Sequence, residues 1–186
     1  PIALPDDISF IGIDSGIRHS VAGASYGDVR CAAFMGYSII ASLLEVSADE
    51  LRAAKSKIDF TSLPFRGYLS NISVKQFEES FLHNLPHALS GKEFFERHEV
   101  SIDQVTRIDE LKNYQVRQCA SHPVYENKRV LQFRNYLISL NESPNNPERI
   151  TLLKKMGELM YQSHESYSLC GLGSDRTDEI VALART

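Results

Sequence analysis

Four Ser-x-x-Glu/Gln signals, Ser47–Glu50, Ser73–Gln76, Ser90–Glu93 and Ser101–Gln104, punctuate the middle of this chain, each ahead of apolar residues. In such a pair the serine oxygen accepts from an amide that the first helical turn leaves unpaired. The acidic or amide side chain reaches back to the backbone amide of the serine. Four of them in close succession leave room only for short helices separated by turns. Pro64 and Gly67 break the chain between the first and second signals, and Pro86 between the second and third.

Longer elements flank this region. Ile8 to Ile13 is an unbroken apolar-rich run between Pro5-Asp6-Asp7 and Ser15-Gly16, which predicts a buried strand. Asp28 is placed to cap a helix in which Val29, Ala32, Ala33, Gly36, Ile39, Ile40 and Leu43 recur at helical spacing, to about Leu44. Ser121 is the expected cap of another helix, with Pro123 tolerated in its first turn and Val130, Phe133, Leu137 and Leu140 on one face. Ser143-Pro144-Asn145-Asn146-Pro147 ends it. In the next helix Leu153, Met156, Gly157, Met160, His164 and Tyr167 share a face. Cys170-Gly171-Leu172-Gly173 reads as a loop, and Ser174 or Asp175 opens a last helix carrying Ile180, Val181 and Ala184. The expected class is therefore α+β, helix-rich with few strands, with residues 1–186 forming a single domain. A length of 186 residues is enough for a sizeable core. Because the chain opens on Pro1 and stops within a helical pattern, it is expected to be part of a longer polypeptide.

Bulk properties exclude several function classes. A net charge of −4 argues against nucleic acid as a partner. No apolar run approaches the length of a membrane span. Cys31, Cys119 and Cys170 are odd in number and widely spaced, neither a zinc pattern nor a disulfide framework. They read as small hydrophobes in a reducing cytoplasm.

The densest candidate chemistry is the strand end Ile13-Asp14-Ser15-Gly16-Ile17-Arg18-His19-Ser20, where polar and basic groups gather at a glycine-bearing turn. The planar fork of Arg18 suits a phosphate; the competing role is a structural ion pair, with Asp14 closing a turn. Tyr26 follows in a stretch of small residues, where its phenol can reach a sugar hydroxyl or simply pack. His122, Glu126, Asn127 and Arg129 cluster near a helix start. His122 and Glu126 have the i, i+4 spacing of metal ligands but no convincing third ligand, so a hydrogen-bonded network between helices is the better reading. His164 reads as a satisfied core histidine. Gly171-Leu172-Gly173-Ser174 lacks the lysine and the length of a phosphate loop.

Three of these segments, in this order, resemble one family. Ile13-Asp14-Ser15-Gly16-Ile17-Arg18-His19-Ser20-Val21-Ala22 leading to Tyr26, His122-Pro123-Val124-Tyr125-Glu126-Asn127-Lys128-Arg129-Val130, and Gly157-Glu158-Leu159-Met160 leading to Ser163-His164-Glu165-Ser166 are similar to motifs of the GHMP kinases, galactokinase branch. Cys170-Gly171-Leu172-Gly173-Ser174-Asp175 departs from the galactokinase pattern and resembles the L-arabinokinase group, as does the long segment from Ser47 to Val105.

The resemblance implies most of a GHMP C-terminal domain lacking its final strands. It further implies transfer of the ATP γ-phosphate to the anomeric hydroxyl of L-arabinose or D-galactose. ATP and Mg²⁺ would be bound mainly by an N-terminal phosphate-loop domain elsewhere in the same polypeptide, which would also supply the catalytic base. Partners would be sugar and nucleotide, with no nucleic acid or membrane. Arg18 would approach the transferring phosphate as the catalytic residue, Tyr26 would touch the sugar, and Asp14, Ser15 and Gly16 would shape the turn that carries Arg18. No metal ligand is assigned. A kinase-inactive, sugar-responsive regulator and another GHMP small-molecule kinase are the alternative readings.

Overall fold

One helix is buried on nearly every side, and the rest of the fold is arranged around it. In the computed structural model, which describes residues 4–17, 24–142 and 147–185, this helix is α1 (Ala24–Leu43). Cys31, Ala32, Met35, Tyr37, Ile39, Ile40 and Ala41 are all buried, as is Ser38. A helix apolar all round belongs in a core. Two of its serine hydroxyls turn back onto the helix itself: Ser38 Oγ donates to the Phe34 carbonyl at 3.2 Å and Ser42 Oγ to that of Ser38 at 3.0 Å.

Around α1 come α2 (Ala48–Lys57), two short 3-10 turns (Pro64–Gly67 and Leu69–Asn71) and α3 (Val74–Gln76), which widens into a π-helical turn over Phe77–Phe81. A two-residue antiparallel ladder joins β1 (Leu89–Ser90) to β2 (Asn113–Tyr114), with Leu89 opposite Tyr114. Helix α4 (Gly91–His98) follows β1 directly. Two long helices, α5 (Val116–Glu142) and α6 (Arg149–Leu169), pack against each other, and α7 (Asp175–Ala184) closes the described chain. The result is a helix-rich α+β arrangement. None of the described helices is long and apolar enough to cross a membrane.

The main core joins α1, α2, α4, the 3-10 turns and the first half of α5, with Tyr37, Phe77, Phe94, Met35 and Ile40 fully enclosed. A second, smaller cluster of Leu137, Leu140, Leu152 and Met156 seals the far end of the α5–α6 pair. Helices α1 and α5 approach closely at Gly36 of α1, where an added Cβ would lie 2.5 Å from the Cβ of Ala120 on α5.

Local signals are realised where they stand alone. Ser47–Glu50 and Ser90–Glu93 form complete capping boxes on α2 and α4. Ser73 accepts from the Gln76 amide at the start of α3. Ser174 caps α7 with Thr177 as its reciprocal partner.

Four expectations are corrected. Ser101–Gln104 starts no helix: Ser101 Oγ accepts from the Asp103 amide at 3.3 Å instead, a local turn that competes with helix. Asp28 does not cap α1 but lies within it, ion-paired with Lys112 at 3.0 Å. Helix α5 begins at Val116 rather than at Ser121, so Pro123 stands inside it. Finally, Ile8–Ile13 forms no strand: Ile11 is 84% exposed and Ile13 66% exposed. A strand needs a neighbour to satisfy its backbone, and no strand pairs with this segment among the described residues. Phe10 instead rests against Phe133 of α5, ring centroids 6.3 Å apart. The break expected over Ser143–Pro147 falls largely on residues 143–146, outside those described.

The α1–α5 contact sets the first test. Gly36→Ala improves helix propensity by about 1 kcal/mol. It also drives a methyl into Ala120, where neither backbone can yield cheaply, and overpacking of this kind costs about 1–3 kcal/mol. The expected net effect is a lower urea midpoint at unchanged m-value; a higher midpoint would mean that the two helices separate without penalty.

Candidate functional site

A cavity of about 330 Å³ opens between the N-terminal half of α1, the turn around Gly67–Ser70, α5 and the end of α6. Helical spacing brings Tyr26, Arg30, Phe34 and Tyr37 of α1 onto one stripe facing it. Tyr68, His122, Pro123, Tyr167 and Leu172 complete much of the wall. Tyr26, Tyr68 and Tyr167 are 40%, 56% and 39% exposed, so three phenols stand at the rim over an apolar interior. Tyr37 is buried instead. Its hydroxyl donates to the Pro64 carbonyl at 2.9 Å, and burial pushes its pKa up to about 12.

Charge is organised by one buried carboxylate. Asp103, 4% exposed, accepts from Arg30 Nε at 3.0 Å and from Nη2 at 2.7 Å. It also accepts from the Val105 amide at 3.1 Å and from the Thr106 amide and hydroxyl. Burial alone would raise its pKa, but these hydrogen bonds and the guanidinium outweigh that and hold it below the ordinary carboxylate value. The reciprocal holds for Arg30: burial opposes its charge, Asp103 outweighs burial, and its pKa rises. Arg30 also lies over the Phe34 ring, 4.8 Å from the centroid. A loop carboxylate thereby fixes a cavity-lining arginine one helical turn from Tyr26.

The second polar cluster stitches helices together. His122 Nδ1 lies 2.8 Å from Ser166 Oγ, and burial pushes its imidazole pKa down. Glu126 accepts from Arg129 Nε and from Ser163 Oγ, each at 2.7 Å. Asn127 donates to the Ser70 carbonyl at 2.9 Å. His164 is not a core histidine: it pairs with Asp178 of α7 at 2.8 Å, and its side chain is 22% exposed. These groups span α5–α6, α5–turn and α6–α7, the geometry of a network that sets helix positions.

The predicted site residues are dispersed in what the structure describes. Asp14 Oδ1 accepts from the Gly16 amide at 2.8 Å, and Ser15 Oγ from that of Ile17 at 3.3 Å. Gly16 takes φ +69°, which favours glycine, so the three form a tight turn. Tyr26 lines the cavity. Arg18 lies outside the described residues. Arg30 and Asp103 were not singled out from sequence. Arg30 was accessible there as the i+4 neighbour of Tyr26, whereas Asp103, in an irregular loop, carried no signal of its distant partner.

No family model matches this chain, and no solved structure does. A curated relative, L-arabinokinase of Arabidopsis thaliana, is 37% identical over 203 aligned positions that take in 99% of this chain. The chain spans 18% of the length of that relative.

Removing the central carboxylate should be felt in stability first. Breaking a buried pair from one side costs about 3–5 kcal/mol; with the Arg30 side chain 30% exposed, Asp103→Asn is expected to cost about 2 kcal/mol at pH 7. The depressed folded-state pKa makes the wild-type contribution complete above the unfolded value of about 4. That contribution is lost as pH falls through the folded value. Urea titrations from pH 6 to 2 should therefore show a flatter decline for the variant; parallel curves would remove Asp103 as an acid-sensitive anchor.

Proposed function

We propose that this chain, a relative of the galactokinase-type sugar kinases of the GHMP family, forms the sugar-facing side of an ATP-dependent sugar-1-kinase acting on L-arabinose or D-galactose. The observation that carries the reading is the similarity along 99% of the chain to L-arabinokinase, taken with a tyrosine-rimmed cavity at Tyr26. Aromatic faces suit the apolar face of a pyranose, and phenol hydroxyls can donate to or accept from ring hydroxyls. Tyr26 stands one helical turn from Arg30, whose own charge is committed to Asp103. Arg18, in the segment between the Asp14–Gly16 turn and α1, is the proposed contact to the transferring phosphate. Phosphoryl transfer depends on positioning and on charge stabilisation at the phosphoryl oxygens, which a guanidinium provides.

The described residues do not by themselves fit ATP and Mg²⁺. They contain no cluster of three or more acidic, histidine or cysteine side chains placed to hold a metal ion. The one cavity arginine on α1, Arg30, is neutralised by Asp103. Nucleotide and metal are therefore assigned to the remainder of the polypeptide.

Two measurements test this. In the full-length protein, Tyr26→Phe is expected to raise the sugar KM roughly tenfold, the loss of about one hydrogen bond of around 1.4 kcal/mol, with kcat changed less; an unchanged KM for both L-arabinose and D-galactose would remove Tyr26 from the sugar site. The 186-residue chain alone is expected to show no sugar-dependent ATP turnover in a coupled assay, and turnover above background would overturn the assignment of nucleotide binding to the remainder.

A further inference from the structure

Three consecutive residues, Phe65, Arg66 and Gly67, have positive φ, at +55°, +53° and +80°. Among the described residues no other run of left-handed positions occurs. Glycine tolerates this region, whereas a phenylalanine or an arginine is strained there. The turn is nevertheless clamped by three side chains. Tyr37 of α1 donates its hydroxyl to the Pro64 carbonyl at 2.9 Å, Asn71 Nδ2 donates to that of Phe65 at 2.8 Å, and Asn127 of α5 donates to that of Ser70 at 2.9 Å. The Phe65 ring packs edge-on against Phe81, centroids 6.0 Å apart. Gly67 is buried and has no room for a Cβ, which would lie 2.9 Å from that of Phe60. Strained backbone persists where its surroundings over-determine it, and such places cluster at functional sites. Here the next residue is Tyr68, which returns to extended backbone and stands 56% exposed in the cavity wall.

We propose that Tyr68, presented by this left-handed turn, is a specificity-determining residue of the sugar site, favouring L-arabinose over D-galactose by its bulk. This rests on the sugar-kinase reading of the cavity. Tyr26, His122 and Pro123 in the wall belong to segments that resemble the galactokinase branch as a whole. Tyr68 belongs to the segment from Ser47 to Val105, which resembles the L-arabinokinase group and departs from galactokinase. The part of the wall that differs between two groups is the part that can tell their sugars apart. Those sugars differ by one exocyclic carbon, which is rejected by filling its place and not by bonding a hydroxyl that both carry. Such exclusion fails if the side chain gives way. An exposed tyrosine on an unconstrained loop moves aside with its backbone; on a backbone clamped at Pro64, Phe65 and Ser70, Tyr68 is left only its own side-chain rotations. Phe65, Arg66 and Asn71 do not line the cavity. They are positioning residues that act through Tyr68.

The test reads the ratio of kcat/KM for D-galactose to kcat/KM for L-arabinose in the full-length protein. Tyr68→Ala is expected to raise this ratio roughly tenfold, with the KM for ATP unchanged. Tyr26→Phe, which removes a contact to a hydroxyl common to both sugars, raises both sugar KM values and leaves the ratio where it was. Arg66→Pro, whose ring fixes φ at about −65°, should raise the ratio as Tyr68→Ala does. Arg66→Gly accepts φ +53° without strain and should not. That contrast separates presentation of Tyr68 from a general loss of stability. A ratio in Tyr68→Ala equal to or below that of the wild type, with Tyr26→Phe still raising the sugar KM, overturns the inference and leaves the sugar site standing. Sugar kinetics that neither Tyr68→Ala nor Tyr26→Phe alters, or no turnover of either sugar by the wild type, overturn the site and the inference together. Tyr68 is exposed, so the Tyr68→Ala result decides the matter even if Arg66→Pro fails to fold.

Discussion

The close approach of α1 and α5 at Gly36 and Ala120 is the constraint on which the rest depends. Wherever two helices meet through a glycine and an alanine, their backbones come nearer than larger side chains allow, and the residues on either side are carried along. Tyr26, Arg30 and Phe34 lie N-terminal to Gly36 on α1, and Cys119, His122 and Pro123 adjoin Ala120 on α5. The candidate site is therefore a consequence of the core: its two main walls are the continuations of a close helix–helix contact. The nearly all-round burial of α1 follows from the same geometry, since a helix held this close must be enclosed by shorter elements on its other faces. Helix α4 and strand β2 contribute to that enclosure.

Among the described residues, Asp103 is the one place where the core accepts a charge. A buried carboxylate is tolerable only if nearly every lone pair is used, and here a guanidinium fork, two backbone amides and a threonine hydroxyl share it. An apolar residue could fill the volume but could not hold Arg30 upright across the cavity edge. The pair is thus better explained by position than by stability: Asp103 fixes Arg30 in the cavity wall.

What was legible in the sequence was local. The Ser47 and Ser90 boxes, the Ser174 cap and the extents of α6 and α7 follow from interactions a few residues apart, and they were readable for that reason. Ser101 shows where this fails: its hydroxyl accepts from the Asp103 amide, and Gln104, the side chain that would reach back to it, donates instead to the Lys55 carbonyl at 2.7 Å. Helix α5 began early because the chain leaves β2 at Tyr114 already facing α1, a tertiary fact that outweighed the helix-breaking cue of Pro123. The Ile8–Ile13 run is the complementary case. Its composition specifies a side-chain pattern, but a strand is a property of two segments, and only one is present among the described residues. For the candidate site, Tyr26 was singled out by its motif and Arg30 lay within reach as its i+4 neighbour, whereas Tyr68 and Tyr167 joined them only once separate elements were placed around one cavity.

On the sugar-kinase reading, these rim residues also bear on which sugar is chosen. L-Arabinopyranose is in effect galactopyranose without its exocyclic carbon, so every ring hydroxyl that Tyr26 or a neighbour could bond is common to both. Polar contacts to shared hydroxyls stabilise both sugars alike and discriminate neither. Only a group standing where the sixth carbon would lie can do so, and an extra carbon in a pocket is worth about 1–3 kcal/mol. Among the cavity residues, Tyr68 and Tyr167 combine bulk with exposure and project from different elements, a turn and the end of α6. A preference for the smaller sugar would then be steric, set by how those two side chains are held, and would respond to movement of the α6–α7 turn more than to any change in hydrogen bonding.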